Sequence, residues 1–144
     1  MALKARLING GIYKDDRGAL FHANDFNLSG VKRMYHIHQS DTGVIRGWQG
    51  HQKEQKWFHC IQGSFIVKLI EIDDWSNPSC ECEHLSFVLS DDPCQVLHIP
   101  GGYANGFKAL EENSIMMVFS DKEIQEAKHD DYRFETSYWN FKWN

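Results

Sequence analysis

The 144-residue sequence predicts an all-β sandwich or barrel, and three observations carry that prediction. Short runs of β-branched and aromatic residues recur at close intervals, separated by Gly, Pro, Asn and Asp. Only one stretch, near the C-terminus, has a helical pattern. The aromatic supply is large, with five Trp, five Tyr and nine Phe, and aromatic side chains both favour strands and line ligand pockets.

Taken in order, the β-type runs fall at 31–38, 56–62, 64–73, 84–89, 96–99 and 115–120. In 64–73, Phe65, Val67 and Leu69 alternate with Ile66, Lys68 and Ile70. Both faces of that strand are largely apolar, as expected inside a sandwich rather than at its wet surface. Gln62-Gly63-Ser64 and Ser90-Asp91-Asp92-Pro93 read as tight turns. A helical segment is expected over 122–129, with Asp121 as its N-cap. The chain shows no internal repeat, linker or low-complexity tract, so a single domain is expected over 1–144, large enough to bury a full core.

Composition narrows the function classes. Hydrophobic residues make up 42% and charged residues 24%, an ordinary globular balance that argues against disorder. A net charge of −5 makes the surface a poor partner for nucleic acid or an anionic membrane. An anionic ligand would need a local cluster of cations, and Arg17, Arg46, Lys53 and Lys56 are the candidates. The N-terminal Met1-Ala2-Leu3-Lys4-Ala5-Arg6 lacks the apolar core of a signal peptide, and no apolar run is long enough to span a bilayer. A cytoplasmic protein is expected, with Cys60, Cys80, Cys82 and Cys94 as reduced thiols.

The most informative segment is Gly43-Val44-Ile45-Arg46-Gly47-Trp48-Gln49-Gly50-His51, followed by Lys56, Gly63 and Pro100-Gly101-Gly102-Tyr103-Ala104-Asn105-Gly106-Phe107. Their spacing resembles the two halves of a cupin site, which narrows the fold to a cupin-type jelly roll. A metal-binding cupin carries a His-x-His pair, an acidic residue a few positions on, and a last His after a Pro-x-Gly turn. Here those places hold Gln49 and His51, then Lys56, then Asn105. One imidazole, two amides and an ammonium are the wrong donor set for a divalent transition metal, so no metal and no cofactor are expected.

What remains is a basic imidazole beside fixed cations, a combination suited to removing a proton next to a carbonyl. A neutral His51 has suitable basicity near pH 7, Lys56 is placed to face the developing oxyanion, and Arg17 and Arg46 suit a phosphate or diphosphate. Other residues carry two readings each. His36 and His38 share one strand face and either line the pocket or form a solvated edge. His59 is a pocket residue or a satisfied core histidine. Tyr103 is a proton donor or a turn aromatic. Cys80-x-Cys82-x-His84 with Cys94 invites a zinc reading, but one-residue gaps on a strand would put the three side chains on one face, unlike the turns of structural zinc sites. The tail aromatics Tyr132, Phe134, Tyr138, Trp139, Phe141 and Trp143 cover the domain's own barrel, or else form a dimer contact or stack on a base.

Asp16-Arg17-Gly18, the 43–47 segment, Lys56 seven residues before Gly63, and Ile99 through Phe107 together resemble the dTDP-4-dehydrorhamnose 3,5-epimerase superfamily. They are also similar to its smaller relatives, the dTDP-sugar 3,4-ketoisomerases and WxcM-like proteins of surface-polysaccharide pathways. The resemblance runs roughly from residue 7 to 139. It implies a homodimer, often with exchanged strands, that binds a nucleotide-diphospho-sugar without metal. Arg17 and Arg46 would contact the diphosphate, and Lys56 would stabilise the enolate oxygen of a dTDP-4-keto-6-deoxyhexose. Three positions depart from the pattern: Gln49 where the epimerases place their base, Val118 where they place a catalytic Tyr, and Asn105 where they have His. The departures favour isomerisation, or epimerisation at one carbon, with His51 as base and His36, His38, His59 or Tyr103 as acid. Gln49 and Asn105 are then substrate contacts. The opposing expectation is a non-catalytic sugar-nucleotide-binding cupin, used as a sensor or assembly subunit.

Overall fold

A computed structural model describes residues 3–143. Met1 and Ala2, part of the segment read for a signal peptide, lie outside the described residues, as does Asn144. The described residues form twelve strands and one short helix: β1 (Arg6–Asn9), β2 (Gly11–Asp15), β3 (Gly18–His22), β4 (Arg33–Gln39), β5 (Ile45–His51), β6 (Lys56–Gln62), β7 (Ser64–Glu71), β8 (His84–Ser90), β9 (Gln95–Ile99), β10 (Tyr103–Ala109), β11 (Ser114–Ser120), α1 (Ile124–Ala127) and β12 (Tyr132–Arg133). Two five-stranded antiparallel sheets, ordered β1-β9-β6-β11-β4 and β12-β5-β10-β7-β8, make the jelly roll. β2 and β3 form a separate hairpin.

The core lies between the two sheets, where Phe58, Phe65, Val67, Leu69, Leu97, Phe107, Met116 and Val118 are buried together. The opposite face of β7 is also covered, as its second apolar stripe predicts. Ile66 and Ile70 pack with Trp48, Trp139 and Trp143, so the C-terminal tail lies over the outside of the second sheet. Two glycines give room to the aromatic layer, which over Gly50 is Trp75 of the β7–β8 connection together with the tail's Phe134. A Cβ on Gly50 would come within 2.8 Å of the Trp75 ring, and one on Gly106 within 3.0 Å of the Trp48 and Trp143 rings. The Trp139 indole N–H donates to the Ser79 carbonyl at 2.9 Å, and the Tyr138 hydroxyl donates to the Pro78 carbonyl. The tail aromatics therefore cover their own barrel. Trp139→Ala is expected to cost about 3–5 kcal/mol, read as a lower urea midpoint, because it opens a cavity against Trp48 and Phe134.

The predicted runs match β4, β6, β7, β8, β9 and β11 within two residues. Two corrections concern local detail. Asp121 does not cap the helix: its carboxylate accepts the Gln55 backbone N–H at 2.8 Å, tying the start of β6. Glu123 is the N-cap instead, paired with Glu126 in a capping box, and the helix is only one turn long. Cys80 and Cys82 precede β8, so strand alternation does not apply to them. His84 lies against the Phe141 ring at 3.9 Å between centroids. Cys60 and Cys94 are buried in the protein interior, and burial pushes the Cys60 thiol up to about 12. Among the described residues no three His, Cys, Asp or Glu side chains are placed to share a metal ion, and no helix is long and apolar enough to cross a membrane.

Candidate active site

β5 and β10 run antiparallel down one wall of the barrel, with Gln49 opposite Asn105. The register then shifts, so that Arg46 rather than Gly47 pairs with Phe107. This extra residue turns Arg46 back onto the inner face, the same face as Gln49 and His51. Across from them, β6 contributes Lys56 and β4 contributes Arg33, Tyr35 and Ile37. Together they line an open cavity of about 610 Å³, a size within the range of small-molecule sites.

The segment after α1 completes the site. The Asp130 carboxylate accepts the backbone N–H groups of Gln52, Lys53 and Glu54 at 2.7, 2.9 and 2.8 Å, which fixes the turn after β5. Its backbone carbonyl lies 2.7 Å from His51 Nδ1. A carbonyl can only accept, so Nδ1 carries the hydrogen and Nε2 carries the lone pair. That Nε2 is buried and has no protein partner. Its lone pair is left open to a ligand.

Glu54 stands behind the imidazole, fully buried, with Oε1 3.3 Å from Nδ1. Its other oxygen accepts from Arg33 Nη2 at 2.8 Å and from the Ser120 hydroxyl. Burial holds the His51 pKa below its ordinary value, and the Lys56 ammonium pushes it the same way. The imidazole is therefore neutral at neutral pH.

Lys56 is buried and donates to Gln49 Oε1 at 3.2 Å, while Gln49 Nε2 donates to Asp131 Oδ1 at 3.1 Å. The amide thus orients the ammonium. Asn105 Nδ2 donates to the Gln49 carbonyl at 3.2 Å, leaving Oδ1 to accept from a ligand. Five cationic side chains line the cavity: Arg33, Arg46, Lys56, Lys128 and Arg133. Arg33 pairs with Glu54 and Arg133 with Asp131. Arg46, Lys56 and Lys128 make no ion pair among the described residues. In a protein of net charge −5, this concentration of positive charge marks an anion site.

Of the ten residues expected at the site, His51, Lys56, Arg46, Gln49 and Asn105 meet in the cavity. The other five lie elsewhere. Arg17 sits at the tip of the β2–β3 hairpin, its side chain 83% exposed and paired with Asp15. His36 and His38 point outward from edge strand β4, because strand alternation gives the inner face to Tyr35 and Ile37; their rings meet at 2.9 Å, Nδ1 to Nε2. His59 faces outward on β6, with Nδ1 2.9 Å from the Gln95 carbonyl. Tyr103 is buried in the core, and its hydroxyl accepts the Ala5 N–H at 3.3 Å.

Arg33, Tyr35, Glu54, Lys128, Asp130 and Arg133 were not foreseen. Gln52-Lys53-Glu54-Gln55 and Lys128-His129-Asp130-Asp131 lie far apart in the sequence, and only tertiary folding brings them together. The alternation of Tyr35 and Ile37 with His36 and His38 was the one available signal.

The family model described as dTDP-4-dehydrorhamnose 3,5-epimerase matches residues 4–144. The chain belongs to that family. A curated dTDP-4-dehydrorhamnose 3,5-epimerase of Mycobacterium tuberculosis is 28% identical over 94 residues, covering 63% of this chain and 46% of the relative. The chain spans about half the length of the curated relatives it matches. Among solved structures, the epimerase of Bacillus anthracis with TDP and pyrophosphate bound superposes with a TM-score of 0.76 at 19% identity, covering 92% of this chain and 79% of that one. A doubly substituted 3,4-ketoisomerase of Thermoanaerobacterium thermosaccharolyticum in complex with TDP superposes with a TM-score of 0.71 at 25% identity, covering 96% and 94%. The family's jelly roll is therefore the fold of this chain, and the cationic cavity lies inside it.

Proposed function

We propose that the protein is an isomerase or epimerase that moves a proton next to the 4-keto group of a dTDP-deoxysugar, within surface-polysaccharide biosynthesis. The observation that carries this reading is the buried, unpartnered His51 Nε2, held as the lone-pair tautomer by the Asp130 carbonyl and facing a cationic cavity. Nε2 removes the carbon-bound hydrogen as a proton, and the C–H electron pair becomes the C=C bond of an enolate. The carbonyl π electrons move onto oxygen, where the Lys56 ammonium stabilises them. Arg46 and Lys128, free of carboxylate partners, bind the diphosphate.

TDP-bound relatives of the same fold support the ligand class. The exposed apolar side chains Tyr13, Leu20 and Phe21 on the β2–β3 hairpin support a homodimer, and four free cysteines agree with a cytoplasmic setting. Incubation with dTDP-4-keto-6-deoxyglucose, followed by NMR, tests the function. A new ketosugar is expected. Binding of dTDP-sugar with no new product would instead support the sugar-nucleotide-binding module.

Arg46→Ala is expected to weaken dTDP and dTDP-sugar binding alike, by about 10-fold or more, since a charge-assisted contact is worth roughly 1.5–3 kcal/mol. Calorimetry reads the effect, and unchanged affinity would reject the diphosphate assignment.

A further inference from the structure

His36 and His38 take no part in the cavity, yet they stand together. Both side chains are exposed on β4, the edge strand of the first sheet, and residues two apart on a strand project from the same face. That face is the outer one, turned away from the cavity that Tyr35 and Ile37 line.

We propose that His36 and His38 form a binding site for a divalent late transition metal, nickel(II) or copper(II), on the outer face of the barrel. His36 Nδ1 and His38 Nε2 lie 2.9 Å apart. An imidazole nitrogen sits about 2.0–2.1 Å from such a metal, so two ligands at a right angle are about 2.9 Å apart and two tetrahedral ones about 3.3–3.4 Å. The observed separation is that of adjacent corners of a square plane or an octahedron. Copper(II) and nickel(II) take those geometries, whereas structural zinc is tetrahedral.

The surroundings select the same class of ion. Met117 on β11 stands opposite His36, and His59 on β6 stands opposite Met117, so a thioether and a third imidazole continue the row across the sheet. His59 lies two strands from His36 and does not complete a three-histidine site. No Asp or Glu occupies an outward position on β4, β11 or β6. Imidazoles beside a thioether, without a carboxylate, suit copper or nickel and are the wrong donors for magnesium or calcium. Water fills the remaining corners. In the pair as it stands, one ring N–H donates to the lone pair of the other ring. On metal binding that hydrogen passes through water to the far nitrogen of its own ring, and both facing lone pairs go to the ion. No electron is transferred.

Titration of the protein with nickel(II), followed by calorimetry and by NMR of the imidazole side chains, tests this. Nickel(II) is the probe because the exposed Cys80 thiol would reduce copper(II). One equivalent is expected to bind, with the paramagnetic ion broadening the His36 and His38 ring signals most. His36→Gln and His38→Gln change exposed positions, and a urea midpoint matching the wild type checks that each variant is folded. Each is expected to weaken nickel(II) binding at least about 10-fold, the lower end of what even an outer-shell substitution costs a metal site. Unchanged affinity in the double variant would overturn the site, and so would a wild type that binds no nickel(II). Broadening centred on His51 or His84, or binding lost with Cys80→Ser, would place the metal elsewhere and overturn it equally.

Discussion

Replacing His51 by Asn is expected to abolish deuterium uptake at the carbon beside the ketone, with turnover falling by about 10²–10⁴-fold, the usual contribution of a general base. The Asn amide can still donate toward the Asp130 carbonyl, so the turn that Asp130 holds through three backbone N–H groups is retained. Affinity for dTDP is expected to remain. The wild-type pH profile follows from the same geometry. Only neutral imidazole can take the proton, and burial together with Lys56 lowers the His51 pKa from 6.5. The acid limb of kcat/KM therefore lies below pH 6.5, and activity is retained as the pH falls through that value. An acid limb above 6.5 would contradict the environment described for His51.

Lys56→Met carries the second large effect. Losing the cation proposed to stabilise the enolate oxygen is expected to slow exchange by about 10²–10³-fold, comparable to removing an oxyanion-hole donor. Met preserves most of the apolar stem, and binding of dTDP through Arg46 and Lys128 is expected to persist. A second readout does not depend on turnover. The Lys56 charge depresses the His51 pKa, so its removal moves the imidazole titration, followed by NMR, back toward 6.5. A mutant that exchanges at the wild-type rate would remove Lys56 from the mechanism.

The fold was legible where strand chemistry is local. β6 and β7 carry β-branched and aromatic residues with a clean turn at Gly63, whose φ of +77° suits glycine. β5 and β10 gave weaker local signals because each contains glycine at positions that lie under the aromatic tail. Their stability comes from pairing and coverage, which no single segment displays. The same division holds at the site. His51, Lys56, Arg46, Gln49 and Asn105 were legible because their spacing resembles a known pair of motifs. Glu54 and Asp130 were not, since their roles depend on a turn and a post-helix segment meeting in space. The outer histidines were left with two readings each for the opposite reason. Residue type suggested acid–base chemistry, but one position of strand alternation decides the face, and it gave the cavity to Tyr35.

Gln49 gains a definite part from the structure. It stands where the resemblance places the epimerases' base, yet its amide joins Lys56 to Asp131 and so orients the cation that the proposed reaction needs. With that position given over to orientation, the proposed proton removal falls to His51 alone. The most direct measurement is NMR of dTDP-4-keto-6-deoxyglucose incubated with the wild-type protein in D2O. Deuterium appearing at a carbon next to the ketone, and absent with His51→Asn, is the predicted result. Full retention of hydrogen at both neighbouring carbons, in a protein that binds the nucleotide sugar, would contradict it.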